Sequence, residues 1–172
     1  VGTIGTIGHR IDGVPLPNST GFTTPEAPGL QRSLIEFVQQ GCRVCIMEVS
    51  SIGLMMKRVG GIQFDIAAFS NFTQDHLDVH GSMTEYLMEK RKLFQHHVSA
   101  DSVSLLMADH PAVAETPVAL GQTAYLSCNT SPARDWWVSN KSFSVSGTDF
   151  TCHHGQAQYP IHLPLIGEHN IE

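Results

Sequence analysis

Glu48 falls near the end of the apolar run Cys42-Arg-Val-Cys-Ile-Met-Glu-Val49, and Ser50 and Ser51 follow directly. A carboxylate closing such a run must be solvated, paired or metal-bound, because an isolated buried charge is too costly. A second polar cluster follows the apolar segment 64–69, where Ser70-Asn71 leads to Asp75-His76-Leu-Asp78 and His80. A carboxylate and an imidazole converging at one sheet edge would suit a divalent cation that keeps some of its water. Structural alternatives stand beside both. Glu48 could cap a helix or form an ion pair, and the stretch from Asp75 to His80 could be a polar loop with capping aspartates. A zinc site there would need thiols or a third histidine at ligand spacing. Cys42-Arg-Val-Cys45 has knuckle spacing, but no second close pair follows, and the run reads better as a buried strand with reduced thiols.

The elements that must position these groups follow from periodicity. Residues 1–8, rich in β-branched side chains and glycine, read as a strand, and a Gly/Pro/Asn-rich loop spans 13–22. Thr23-Thr-Pro-Glu26 has the form of a capping box, and Ala27, Leu30, Leu34 and Val38 recur at helical spacing until Gly41. A short helix is expected over 51–58 and a strand over 64–69. Ser82-Met-Thr-Glu85 is a second capping box, opening a helix with Tyr86, Leu87, Lys90, Leu93 and Phe94 on one side, so that Arg91 and Lys92 should face solvent. Strands alternating with helices, without a hairpin signal, imply a largely parallel sheet with crossover helices. Strands near 2–7, 43–49, 64–69 and 102–107 should share that one sheet, with Glu48 and the 70–76 turn at its carboxyl edge. From Trp136 onward the period approaches two, and a few antiparallel strands are expected beside the main sheet. The fold class is α/β.

Composition bounds the rest. The chain has 172 residues, 41% of them hydrophobic, enough for one domain with a real core and too apolar for a disordered chain. The net charge of −6 argues against a general nucleic-acid partner, which needs cations against phosphate. Half of the basic residues nevertheless fall in or beside Lys57-Arg58 and Lys90-Arg91-Lys92, leaving room for a local anionic ligand. No apolar run approaches the roughly 20 residues of a membrane span, and no basic segment precedes an apolar leader. A cytoplasmic protein without membrane insertion is expected. Taken alone, these features describe an α/β enzyme that depends on a metal and an anion.

Five motifs in order are more specific: Gly2-Thr-Ile-Gly-Thr-Ile-Gly8, Thr23-Thr-Pro-Glu26, Met47-Glu-Val-Ser-Ser51, Asn71-Phe-Thr-Gln-Asp-His-Leu-Asp-Val-His-Gly81 and Glu89-Lys-Arg-Lys-Leu-Phe94. Together they resemble the central ATP-binding domain of the Mur ligases, most closely the branch that adds the third amino acid to UDP-N-acetylmuramoyl-L-alanyl-D-glutamate. The resemblance is strong over residues 1–98, weaker beyond, and resumes at Leu165-Ile-Gly-Glu-His-Asn170. It implies that residues 1–172 are part of a central domain, with a Gly-Lys-Thr phosphate loop before residue 1 and an amino-acid-binding domain after residue 172. Such a piece is expected to be inactive alone.

The resemblance also implies roles. Thr23, Thr24 and Ser50 match positions that hold the UDP-muramoyl-dipeptide, and Arg58 matches a basic residue on its anionic part. Glu48 and His76 match Mg2+ ligands, Lys90 matches a lysine carbamylated by carbon dioxide, and Asn170 matches an asparagine near the adenine of ATP. Two positions depart from the family pattern on the substrate side: Ile52 stands where histidine is usual, and Met56 where glutamine is common. The implied reaction phosphorylates the D-glutamate side-chain carboxylate with ATP, and an amine of a diamino acid, meso-diaminopimelate before L-lysine, attacks the acyl phosphate. A related folylpolyglutamate or poly-amino-acid ligase, or a non-catalytic substrate-binding homologue, is the alternative.

Overall fold

The computed structural model describes residues 1–17 and 21–171, which form two compact units. The first comprises residues 1–62 and 76–92. It contains β1 (Gly2–Gly5), β2 (Gly8–Ile11), β3 (Val14–Pro15), α1 (Ala27–Gln39), β4 (Cys45–Met47), α2 (Ser51–Met55), α3 (Leu77–His80) and the opening turns of α4 (Met83–His96). Its sheet has the order β3-β2-β1-β4, with β1 and β4 parallel and the other pairs antiparallel.

Two expectations change here. The strand expected over 1–8 turns back at Thr6-Ile7, so that Gly5 pairs with Gly8. A second hairpin then occupies part of the expected loop. Asp12 and Gly13 both have positive φ, 47° and 84°. A two-residue type I′ turn requires this of both central residues, and Asp-Gly supplies it most cheaply. The hairpin signal was present in the sequence after all. The segment expected as a buried strand is also short, and Val44, Cys45 and Ile46 are exposed. The reason is position: β4 is the outermost strand of its sheet, paired only with β1 among the described residues.

The second unit comprises residues 63–75 and 93–172. It contains β5 (Phe64–Phe69), β6 (Val98–Met107), α5 (Pro111–Ala114), β7 (Gln122–Ser127), β8 (Trp136–Ser144), β9 (Gly147–His154), β10 (Ala157–Leu163) and a 3-10 turn over Glu168–Asn170. The sheet order is β10-β9-β8-β7-β6-β5. Strands β5 to β8 run parallel, and β8 to β10 run antiparallel, as the change of period implied. These late strands extend the parallel sheet instead of packing beside it. Phe69 and Phe94 stack in this unit's core at 5.8 Å. The strands expected in one sheet therefore divide between two, β1 and β4 in one and β5 and β6 in the other. The α/β class, with its parallel pairs and crossover helices, holds.

Candidate active site

Thr23-Thr-Pro-Glu26 does not cap α1. The N-cap is Glu26, and no side chain caps the helix. Tertiary partners have taken the hydroxyls instead. Thr24 is 1% exposed; its Oγ1 donates to the Glu48 carbonyl at 3.0 Å and accepts from the Ser50 amide at 2.8 Å. This one threonine pins the backbone on both sides of Val49. Thr23 Oγ1 lies 2.9 Å from Thr6 Oγ1.

Glu48 leaves β4 with its amide bonded to the Ile4 carbonyl at 2.9 Å, so the residue extends the β1–β4 ladder. Its carboxylate Oε2 accepts from the Thr6 hydroxyl at 2.8 Å and the Thr6 amide at 3.2 Å. The other oxygen packs over Gly5: a Cβ there would stand 2.5 Å from Oε1. Glycine at position 5 is what lets the carboxylate lie over β1. Oε1 accepts no hydrogen bond among the described residues, so one hard oxygen is oriented yet available.

Ser50 caps α2, its Oγ accepting from the Gly53 amide at 3.0 Å. The next residue faces another cluster. Ser51 Oγ lies 2.9 Å from His80 Nε2, with both residues buried. The His80 ring stacks on Tyr86 at 5.2 Å, His76 meets Tyr86 edge-on at 6.3 Å, and Lys90 Nζ lies 5.1 Å from the Tyr86 ring centroid. A continuous set of contacts thus joins Glu48, through Thr24 and the two serines, to His76 and Lys90. The Ser82–Glu85 box forms at the head of α4, with the Glu85 amide donating to Ser82 Oγ at 3.2 Å. It fixes the helix that presents Tyr86 and Lys90. Lys92 pairs with Glu89 at 2.6 Å, whereas Arg91, expected in solvent, is half-buried with its Nε shielded.

His76 has a left-handed backbone, φ 52°, at the N-cap of α3. Such strain in a non-glycine residue is retained where the surroundings over-determine it, often at functional sites. Asparagine tolerates this conformation better than most residues. We therefore expect His76→Asn to keep thermal stability within about 1 kcal/mol while turnover of the full-length protein falls sharply. A matched loss of stability and activity would show that His76 is only structural.

Arg58 is 8% exposed, and its guanidinium faces inward. It donates to the Thr24 carbonyl at 3.0 Å and to Met56 Sδ at 3.2 Å, pairs with Glu26 at 2.9 Å, and lies 4.8 Å from the Phe22 ring centroid. The fork expected on a substrate anion holds the Thr24–Glu26 segment, and an anion would have to compete with Glu26 for it.

Among the described residues no three His, Cys, Asp or Glu side chains gather as a metal cage. A zinc site closed by protein ligands is not built here. The oriented Glu48 carboxylate oxygen is the kind of donor suited to a hard cation such as Mg2+, which keeps several waters and takes other oxygens from phosphates.

The family model for the Mur ligase middle domain matches residues 1–172. The chain belongs to the Mur ligase family. Among curated Mur ligases, the UDP-N-acetylmuramoyl-L-alanyl-D-glutamate--2,6-diaminopimelate ligase of Chlamydia felis (strain Fe/C-56) is 35% identical over 170 residues, covering 99% of this chain and 34% of that protein. The enzyme of the same name from Corynebacterium efficiens is 38% identical over 181 residues, 99% of this chain and 32% of that protein. A solved structure of a ligase of that name superposes with a TM-score of 0.82 at 30% identity, over 99% of this chain and 34% of its own. The chain spans about a third of the length of these relatives.

Within this Mur ligase domain, Asn170 lies in the second unit, its Nδ2 donating to the Ile166 carbonyl at 3.0 Å. Thr6, Ser51, His80 and Tyr86 were not among the residues expected in the site. Ser51 and His80 carried a signal through the polar stretches after Glu48 and over 75–80, and Tyr86 through the helix side it shares with Lys90. Thr6 had none, since its partner Glu48 lies 42 residues away. No helix of the described residues is long and apolar enough to cross a membrane.

Proposed function

We propose that this domain is the catalytic centre of a ligase that uses ATP to join a diamino acid, meso-diaminopimelate, to UDP-N-acetylmuramoyl-L-alanyl-D-glutamate. The observation that carries the reading is the Glu48 carboxylate, anchored by Thr6 and tied through Thr24, Ser50 and Ser51 to the cluster holding His76 and Lys90. The names of the curated relatives support the choice of substrates.

Glu48 and His76 would hold Mg2+, which offsets charge on the transferring phosphoryl group when bound. Lys90, as a carbamate, would add anionic oxygens to that site. Thr23 and Ser50 would face the muramoyl dipeptide, with Thr24 and Arg58 fixing the segments that carry them. Asn170 would lie beside the adenine. The D-glutamate side-chain carboxylate takes the γ-phosphoryl group of ATP, and the diamino acid's amine displaces phosphate from the resulting acyl phosphate.

The test is phosphate release by the full-length protein supplied with ATP, Mg2+, the muramoyl dipeptide and one amino acid. Release should require both the dipeptide and meso-diaminopimelate, and L-lysine should substitute poorly. Equal use of L-lysine would overturn the choice of amino acid. Activity only on a folate substrate, or binding of the dipeptide without turnover, would overturn the reading itself.

A further inference from the structure

A cavity of about 330 Å³ lies in the first unit between β2, the segment after β3, and one face of α1. It shares no residue with the site around Glu48. At its wall is His9, 3% exposed, whose Nδ1 lies 3.0 Å from Ser33 Oγ. The other ring nitrogen, Nε2, is buried and has no hydrogen-bond partner among the described residues. That atom has almost no accessible surface, so it lies behind the cavity wall, and His9 reports on the cavity from its side.

Two opposite charges border the same cavity one helical turn apart, Arg32 and Glu36. Residues at this spacing on a helix are neighbours and commonly pair. Here they do not. Glu36 accepts from Gln40 Nε2 at 3.2 Å, and Arg32 forms no ion pair among the described residues. Leu16 and Pro17 supply an apolar wall. Burial pushes the His9 pKa below its ordinary value, with Glu36 opposing, so the imidazole is neutral near pH 7. The cavity then carries one fixed positive and one fixed negative group. A simple anion would meet Glu36, and a simple cation would meet Arg32.

We propose that this cavity binds a small zwitterion, a free α-amino acid with an apolar side chain. Arg32 takes the carboxylate, Glu36 takes the ammonium group, and the side chain lies against Leu16 and Pro17. The volume is at the lower end of small-molecule sites, which suits such a ligand.

The test uses the full-length protein with its histidines labelled at Cε1, titrated with L-valine. Two relatives of valine serve as controls: isobutylamine lacks the carboxylate, and isovalerate lacks the ammonium group. One histidine resonance, absent in His9→Gln, should shift saturably with L-valine. Either control should bind at least about tenfold more weakly, as loss of one charge-assisted contact predicts. Arg32→Gln and Glu36→Gln, at exposed positions that leave the fold intact, should each weaken L-valine binding by a similar factor. Equal binding of isovalerate or isobutylamine would overturn the proposal in favour of a simple ion site. So would the absence of any saturable shift at millimolar L-valine, or unchanged affinity in both variants.

Discussion

Lys90→Ala in the full-length protein should lose turnover by about 10³-fold or more, the scale of removing a group that organises developing charge. A short carboxylic acid such as acetate should restore part of it. The argument begins with location. Lys90 is half-buried on α4, its Nζ over the face of Tyr86, whose ring His76 and His80 also contact. An ammonium group beside a divalent cation would repel it. In the proposed site the neutral amine would instead attack carbon dioxide, forming an N–C bond and releasing a proton to solvent, and the carbamate would offer two oxygens to a hard cation. Lys90→Arg keeps a positive charge that can lie over the same ring, but its guanidinium does not form this carbamate. It should therefore be as inactive as Lys90→Ala. A carbon-13 carbamate signal should appear in the parent protein under labelled carbon dioxide and vanish in Lys90→Arg. Full activity in Lys90→Arg would sink the carbamate assignment.

The second large effect concerns Glu48 and the residue beneath it. Glu48→Gln removes the anionic oxygen but keeps the shape, and we expect turnover to fall by about 10²–10³-fold with little change in affinity for the muramoyl dipeptide. Gly5→Ala should act on the same carboxylate without altering it. The new Cβ would stand 2.5 Å from Oε1 and push the side chain off Thr6. The clash is with the tip of a flexible side chain, so folding should survive. Turnover should fall by about 10–100-fold, as for groups that orient a metal ligand. Initial rates and thermal unfolding together separate the outcomes. If Glu48→Gln changed only the apparent affinity for the dipeptide, Glu48 would not be a metal ligand.

Much of the fold was legible because its signals are local. The apolar hexamer 64–69 became β5 with the expected bounds, and Ser82 and Glu85 met at the head of α4. Thr23-Thr-Pro-Glu26 misled for the opposite reason. The same hydroxyls that could cap a helix found stronger employment with Thr6, Glu48 and Ser50, and local sequence does not reveal distant partners. The β2–β3 hairpin went unread because a Gly/Pro/Asn-rich stretch suggested a loop, although Asp12-Gly13 held the turn. In the site, Glu48 stood out as a charge in an apolar run. Thr6 did not, because a threonine in a Gly-Thr-Ile repeat looks like any strand residue.

The sheet that seats Glu48 combines two kinds of pairing that form on different schedules. The turns at Thr6-Ile7 and Asp12-Gly13 close between neighbours in sequence, and hairpins of this kind form in microseconds. The parallel pairing of β1 with β4 must bring together segments more than 40 residues apart, as the 42-residue separation of Thr6 and Glu48 shows. Closing so long a loop costs entropy before any contact offsets it. The hairpins are thus a template, and the seat of the carboxylate is completed only when β4 docks on the free edge of β1. Substitutions in the turns would slow the climb to the folded state, whereas those around the Glu48 seat would chiefly hasten its loss.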